Sequence, residues 1–149
     1  MRFNALSLQK SLKYAFFTGI LALSYVISRS NYLLFHSLAE LFSVIISSCI
    51  FIIVWNLKEK AEKPFFVLLG ISYLFVGIID LFHTLSYQGM SLFETDFFFA
   101  NQLWIGARFL EAISLFIFVY FMDKKYKLNY YLIFALYLAL TTTDRKSVV

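Results

Sequence analysis

Charge is scarce in this chain. Lys, Arg, Asp and Glu together make up 15% of its 149 residues, well under the roughly one quarter usual for a soluble domain. There is one cysteine, Cys49, in the middle of an apolar segment, and a lone thiol excludes a disulfide framework. One proline, Pro64, is present. No Walker sequence, HExxH, GxSxG or CxxC occurs, so the familiar phosphate, zinc-protease, hydrolase and thiol signatures are missing. The chain has no internal repeat, no extramembrane domain and no small-x-small cleavage site followed by a polar mature region. The first apolar segment is therefore read as a retained signal anchor.

What remains is apolar. Hydrophobic residues make up 61% and aromatic residues 21%, with 19 Phe and 10 Tyr, more than one soluble core of this size can hide. The fold class expected is all-α, a polytopic transmembrane helical bundle. Five spans are readable, at about 12–28, 32–55, 65–87, 103–121 and 128–143. The first four are near the roughly 20 residues that cross a bilayer. Pro64 opens the third span, where its missing N–H costs nothing. Gln88-Gly89 closes it as a helix stop. Phe97-Phe98-Phe99 either lies in the outer interface or extends the fourth helix.

The connections alternate in charge. Basic residues gather in the N-terminal tail (Arg2, Lys10, Lys13), in the 57–64 loop (Lys58, Lys60, Lys63) and in the 123–127 loop (Lys124, Lys125, Lys127). The 29–31 connection has Arg29 alone. The 88–100 loop has no basic residue and carries Glu94 and Asp96. The positive-inside rule then expects a cytoplasmic N-terminus and a multi-pass plasma-membrane protein. The net charge of +4 is a topology signal and makes no case for nucleic acid. The last six residues, Asp144 to Val149, spell what a common short-read sequencing adapter encodes in one frame. Residues 144–149 are expected to be an artefact that follows an incomplete membrane domain, 1–143.

Six ionisable residues interrupt the apolar spans: His36, Glu40, Asp80, His83, Arg108 and Glu111. A charge in hydrocarbon costs roughly 2.5 to 3.5 kcal/mol on insertion scales and normally faces a bundle interior. Helical spacing puts His36, Glu40, Ser43 and Ser47 on one stripe of the second span. Tyr73, Val76, Asp80, His83 and Tyr87 share one on the third, and Asn101, Trp104, Arg108, Glu111 and Leu115 one on the fourth. With the expected topology, both histidines lie about one turn below the outer boundary. Glu40, Asp80 and Arg108 lie about two turns down and Glu111 about three, or roughly 6, 12 and 15 Å. Below Glu111 the fourth-span seam turns to Leu115 and Phe118, so the lower half reads as sealed.

Three carboxylates face one arginine. Burial does not tolerate the surplus negative charge, so protons or a cation must neutralise it. His36, Glu40, Asp80, His83 and Glu111 offer nitrogen and oxygen donors to zinc, iron or manganese. The same cluster can bind a small polar ligand, or titrate through its histidines. Axial haem ligation by two histidines is the weaker cofactor reading, since CxxCH is absent and the shared cavity is not evidently haem-sized. The bland reading is an Arg108 ion-pair network that ties helices together, at the modest energies of polar contacts between membrane helices. Tyr87 and Trp104 either line the pocket mouth or belong to an aromatic belt. Tyr73 reads as seam packing. Ala39, Ser43 and Ser47, like Gly70 and Gly77, read as close helix packing.

Three blocks carry a family likeness: FHSLAELFSVIISSCIFIIVWN at 35–56, LLGISYLFVGIIDLFHTLSYQGM at 68–90 and NQLWIGARFLEA at 101–112. Together they resemble the third of the families called membrane-associated sensor domains, over about residues 10–140. The FHxxAE pattern falls on Phe35, His36, Ala39 and Glu40. The DxxHTLxYxGM pattern falls on Asp80, His83, Thr84, Leu85, Tyr87, Gly89 and Met90. The LWIxxR pattern falls on Leu103, Trp104, Ile105 and Arg108, with Glu111 after it. The resemblance implies an N-terminal multi-span input module of a bacterial or archaeal signalling protein. Outputs in such proteins are usually histidine kinases or diguanylate cyclases, often through a PAS relay. Domains of that family are longer than this chain and have more than five spans.

The expected function is a transmembrane sensory input module that binds a small ligand, metal ion or proton in an outward-facing polar pocket. It is not itself an enzyme. The alternatives are a metal-dependent membrane enzyme, a structural ion-pair network and, last, a transporter fragment. Expected partners are the bilayer, a cytoplasmic signalling domain in cis and a second copy of the chain.

Overall fold

The computed structural model describes residues 2–60, 63–90, 97–124 and 127–143. Glu94, Asp96, Lys125 and the 144–149 tail lie outside them. Every regular element among the described residues is helical. The α-helices are α1 (Arg2–Ser30), α2 (Tyr32–Asn56), α3 (Phe65–Ser86), α4 (Phe97–Phe121) and α5 (Tyr130–Thr143), and a short 3-10 turn spans Lys58–Lys60. Four segments are long and apolar enough to cross a membrane: Ser7–Ser30, Tyr32–Asn56, Phe65–Ser86 and Phe98–Phe121. The chain is an all-helical, multi-pass membrane protein.

Two bounds differ from the sequence expectation. The fourth helix starts at Phe97, so the Phe-Phe-Phe run extends the helix. Among the described residues the fifth starts at Tyr130 and has 14 residues, about 21 Å of rise. The helix ends follow local chemistry. Asn31 caps α2 by accepting the Leu34 N–H at 3.0 Å, and Asn129 caps α5 by accepting the Leu132 N–H at 3.1 Å. Pro64 stands at the N-cap of α3. After α3 the chain turns through Gly89 at φ 101°, a left-handed conformation that a side chain would strain.

The chain divides into two compact units, Met1–Ala39 and Glu40–Val149. The first holds α1 and the opening of α2, where the Tyr32 ring stacks on the His36 ring at 6.1 Å between centroids. The second holds the rest, with α3 as its buried axis. Phe65 at the start of α3 stacks on Phe121 at the end of α4 at 5.5 Å, and Phe66 meets Phe118 at 5.1 Å. Further up α3, Asp80 pairs with Arg108 and His83 bonds Ala100. That order makes α3 and α4 antiparallel neighbours.

The apolar core is Val67, Ile71, Phe75 and Tyr137, packed by Phe51, Val54 and Trp55 of α2, Leu110 of α4, and Tyr130, Ile133 and Phe134 of α5. The close approach of α2 requires glycine on α3. A Cβ at Gly70 would stand 2.9 Å from Val54 Cβ, and one at Gly77 would stand 3.0 Å from Ser47 Cβ. Outside this core, large apolar side chains such as Phe109, Phe116 and Val119 of α4 are exposed, as a lipid-facing surface requires.

Candidate functional site

The polar residues of α3 and α4 meet as their helical stripes require. Asp80 is 1% exposed. One of its oxygens, Oδ2, accepts a hydrogen bond from Arg108 Nη2. The other arm of the guanidinium, Nη1, donates to Glu111 Oε2 at 2.7 Å. Arg108 thus bridges one carboxylate on the facing helix and one on its own. A planar guanidinium suits that task, because its donors form a fixed fork. The Tyr73 phenol of α3 faces the same Glu111 carboxylate, so Tyr73 is a member of the polar site as well as seam packing. Asp80 Oδ1 and Arg108 Nε are buried and have no hydrogen-bond partner among the described residues.

One turn further along α3, His83 is 4% exposed, and its Nδ1 lies 2.7 Å from the Ala100 carbonyl of α4. A carbonyl only accepts, so Nδ1 carries the proton. In the neutral ring that places the lone pair on Nε2. Tyr87 packs edge-on against the imidazole, with centroids 5.9 Å apart. A carboxylate oxygen of Glu40, on α2, stands within 4.8 Å of a ring nitrogen of His83. Asp80 is within electrostatic reach of both Glu40 and His83.

The second unit therefore gathers five of the six sequence-predicted ionisable residues, and it sorts them. Asp80, Arg108 and Glu111 form an ion-paired trio. Glu40 and His83 form a second group beside Asp80. His36 is described with the first unit, four residues before Glu40 along α2. Trp104 is 47% exposed on α4.

Two features escaped the sequence reading. The Ala100 carbonyl is a backbone group, and no side-chain pattern announces it. The other is Ser114, which continues the α4 seam at the 108, 111, 114 spacing. Its hydroxyl donates to Leu110 O at 2.6 Å and meets the Tyr137 hydroxyl of α5 at 2.6 Å. Ser72 of α3 reaches the same Tyr137. The seam below Glu111 thus passes into a buried, uncharged trio of hydroxyls, instead of ending at Leu115 and Phe118. The i+3 step from Glu111 was the available signal.

No curated protein and no solved structure matches the chain. The model of the family MASE3, described as a membrane-associated sensor domain, matches residues 27–144. That stretch contains α2 to α5 and every residue of the polar cluster. The chain belongs to this family of membrane-associated sensor domains.

Proposed function

We propose that the polar cluster is the stimulus-binding site of a transmembrane receptor, opening toward the outer side, and that the N-terminus is cytoplasmic. One observation supports this above the rest. Asp80 is almost fully buried at membrane depth, yet Arg108 satisfies only one of its two oxygens. A network built solely to tie α3 to α4 gains nothing from an unsatisfied carboxylate oxygen, which is costly in a water-poor interior. A binding site does, because a stimulus can complete it.

A sensor domain is not itself catalytic. The reading places a histidine kinase or diguanylate cyclase beyond this domain on the cytoplasmic side. Binding at Glu40, His83 and Asp80 shifts α2 against α3, and Arg108 carries the shift to α4. Small interface shifts of this kind are a common way for receptors to switch. The test is signalling by the full-length receptor in cells. Glu40→Gln and His83→Gln proteins, present at wild-type levels in the membrane, are expected to lock output or lose the response. Wild-type responses from both would refute the reading.

A further inference from the structure

We propose that Glu40, His83 and Asp80 Oδ1 form the binding site of a divalent first-row transition-metal ion. This names the ligand of the site proposed above, and rests on that reading only for its consequence, signalling.

The donor atoms are of the right kind, and those of Glu40 and His83 are already close. Glu40 and His83 come from different helices, and their donor atoms lie within 4.8 Å of each other. Zinc ligands at about 2.0–2.1 Å stand ~3.4 Å apart in a tetrahedron, so Glu40 and His83 close on an ion by side-chain adjustment. His83 is oriented as metal-bound histidines usually are. Its Nδ1 proton is held by a backbone carbonyl at 2.7 Å, which fixes the tautomer and directs the lone pair to Nε2. Asp80 sits three residues before His83 on the same face of α3, and its Oδ1 is buried without a hydrogen-bond partner among the described residues.

Charge sets the valence. Asp80, Glu111 and Glu40 against Arg108 leave two negative charges. A divalent ion cancels both in a medium where an uncompensated charge is expensive. An imidazole in the donor set favours zinc, manganese or iron over magnesium or calcium, which prefer oxygen alone. Glu111 drops out of the metal set inferred from sequence, because Arg108 Nη1 and the Tyr73 phenol claim it. Asp80 joins the two groups, with one oxygen on Arg108 and the other toward the ion. Loading the ion then alters the charge that Arg108 meets.

The experiment is equilibrium dialysis of purified, chelator-stripped full-length receptor in lipid nanodiscs against Zn(II) and Mn(II), with Mg(II) as control and metal read by mass spectrometry. One Zn(II) or Mn(II) per chain and no retained Mg(II) are expected. Glu40→Gln and His83→Gln should weaken binding about 100-fold or more, whereas Glu111→Gln, which removes a charge but no ligand, should weaken it only about 10-fold. No saturable binding, or equal loss in Glu111→Gln and Glu40→Gln, overturns the proposal. Glu40→Gln is checked for folding by its unfolding curve, so that lost binding is not mistaken for lost structure. If wild type binds no metal while Glu40→Gln still abolishes signalling, the metal assignment fails and the sensory reading stands. If metal binds as expected but output ignores it, the assignment stands and the sensory reading fails.

Discussion

From Phe65 to Val76, α3 buries Val67, Leu68, Ile71 and Phe75 against apolar side chains of its neighbours; from Asp80 to Ser86 it buries Asp80, His83, Thr84 and Ser86. Both halves are equally hidden, and they are held by different physics. Within a bilayer, lipid tails are as apolar as leucine, so helices associate through close packing and a few polar contacts. The first half uses packing: aromatic rings interlock, and Gly70 lets α2 approach to a distance that no larger residue allows. The second half adds charge that packing does not need. In a helix already placed by its first half, that surplus is what points to function.

The contrast yields ordered predictions. The largest effect is expected at Arg108. Arg108→Leu leaves the buried Asp80 carboxylate without its counter-charge, and stability should fall by about 3–5 kcal/mol, measured as a shift in detergent-induced unfolding. Adding Asp80→Asn to that variant should recover most of the loss. If it does not, the damage lies in packing and the two halves are alike. Next comes the apolar half. Phe75→Ala opens a cavity between α3 and α5 and should cost about 3 kcal/mol, the low end for a buried aromatic. The folded fraction should still bind metal with wild-type affinity, since Phe75 touches none of the ligands.

Gly70→Ala should cost about 1–3 kcal/mol through the contact with Val54. Val54→Ala in the same protein should relieve much of it, as a double-mutant cycle would show. The smallest effect belongs to the hydroxyl trio. Tyr137→Phe removes its bond to Ser114 and should cost about 0.6 kcal/mol, and less than about 1.7. A larger loss would mean that the lower half also depends on polar contacts, and the contrast would weaken.

Much of this was legible in the sequence, because helical periodicity is strict. Asp80, Arg108 and Glu111 could be assigned to inward stripes from spacing alone, and matched depth left Arg108 to pair with Glu40, Asp80 or Glu111. The stop at Gly89 and the start at Pro64 were legible for the same local reason. What spacing could not give was the partition. Four charged or titratable groups at similar depth can pair in several ways, and only side-chain reach decides that Arg108 takes Glu111 as well as Asp80. The tautomer of His83 depends on a backbone carbonyl, which every residue has and no pattern marks. Tyr73 looked like packing because an aromatic ring on a seam usually is, and its hydroxyl matters only once Glu111 is seen facing it.

The central claim is that the charged half of α3 serves signalling and is not required for folding. The triple variant Asp80→Leu, Arg108→Met, Glu111→Met tests it most directly, because it removes every charge of the trio and fills its place with apolar groups of similar volume. Replacing a buried ion network with well-packed hydrophobic residues of similar volume is often close to neutral for stability. The measurement is unfolding stability and signalling output in the same full-length receptor. The account predicts stability within about 1 kcal/mol of wild type and a lost response. A protein several kcal/mol less stable, whose folded fraction still responds as wild type does, would contradict it.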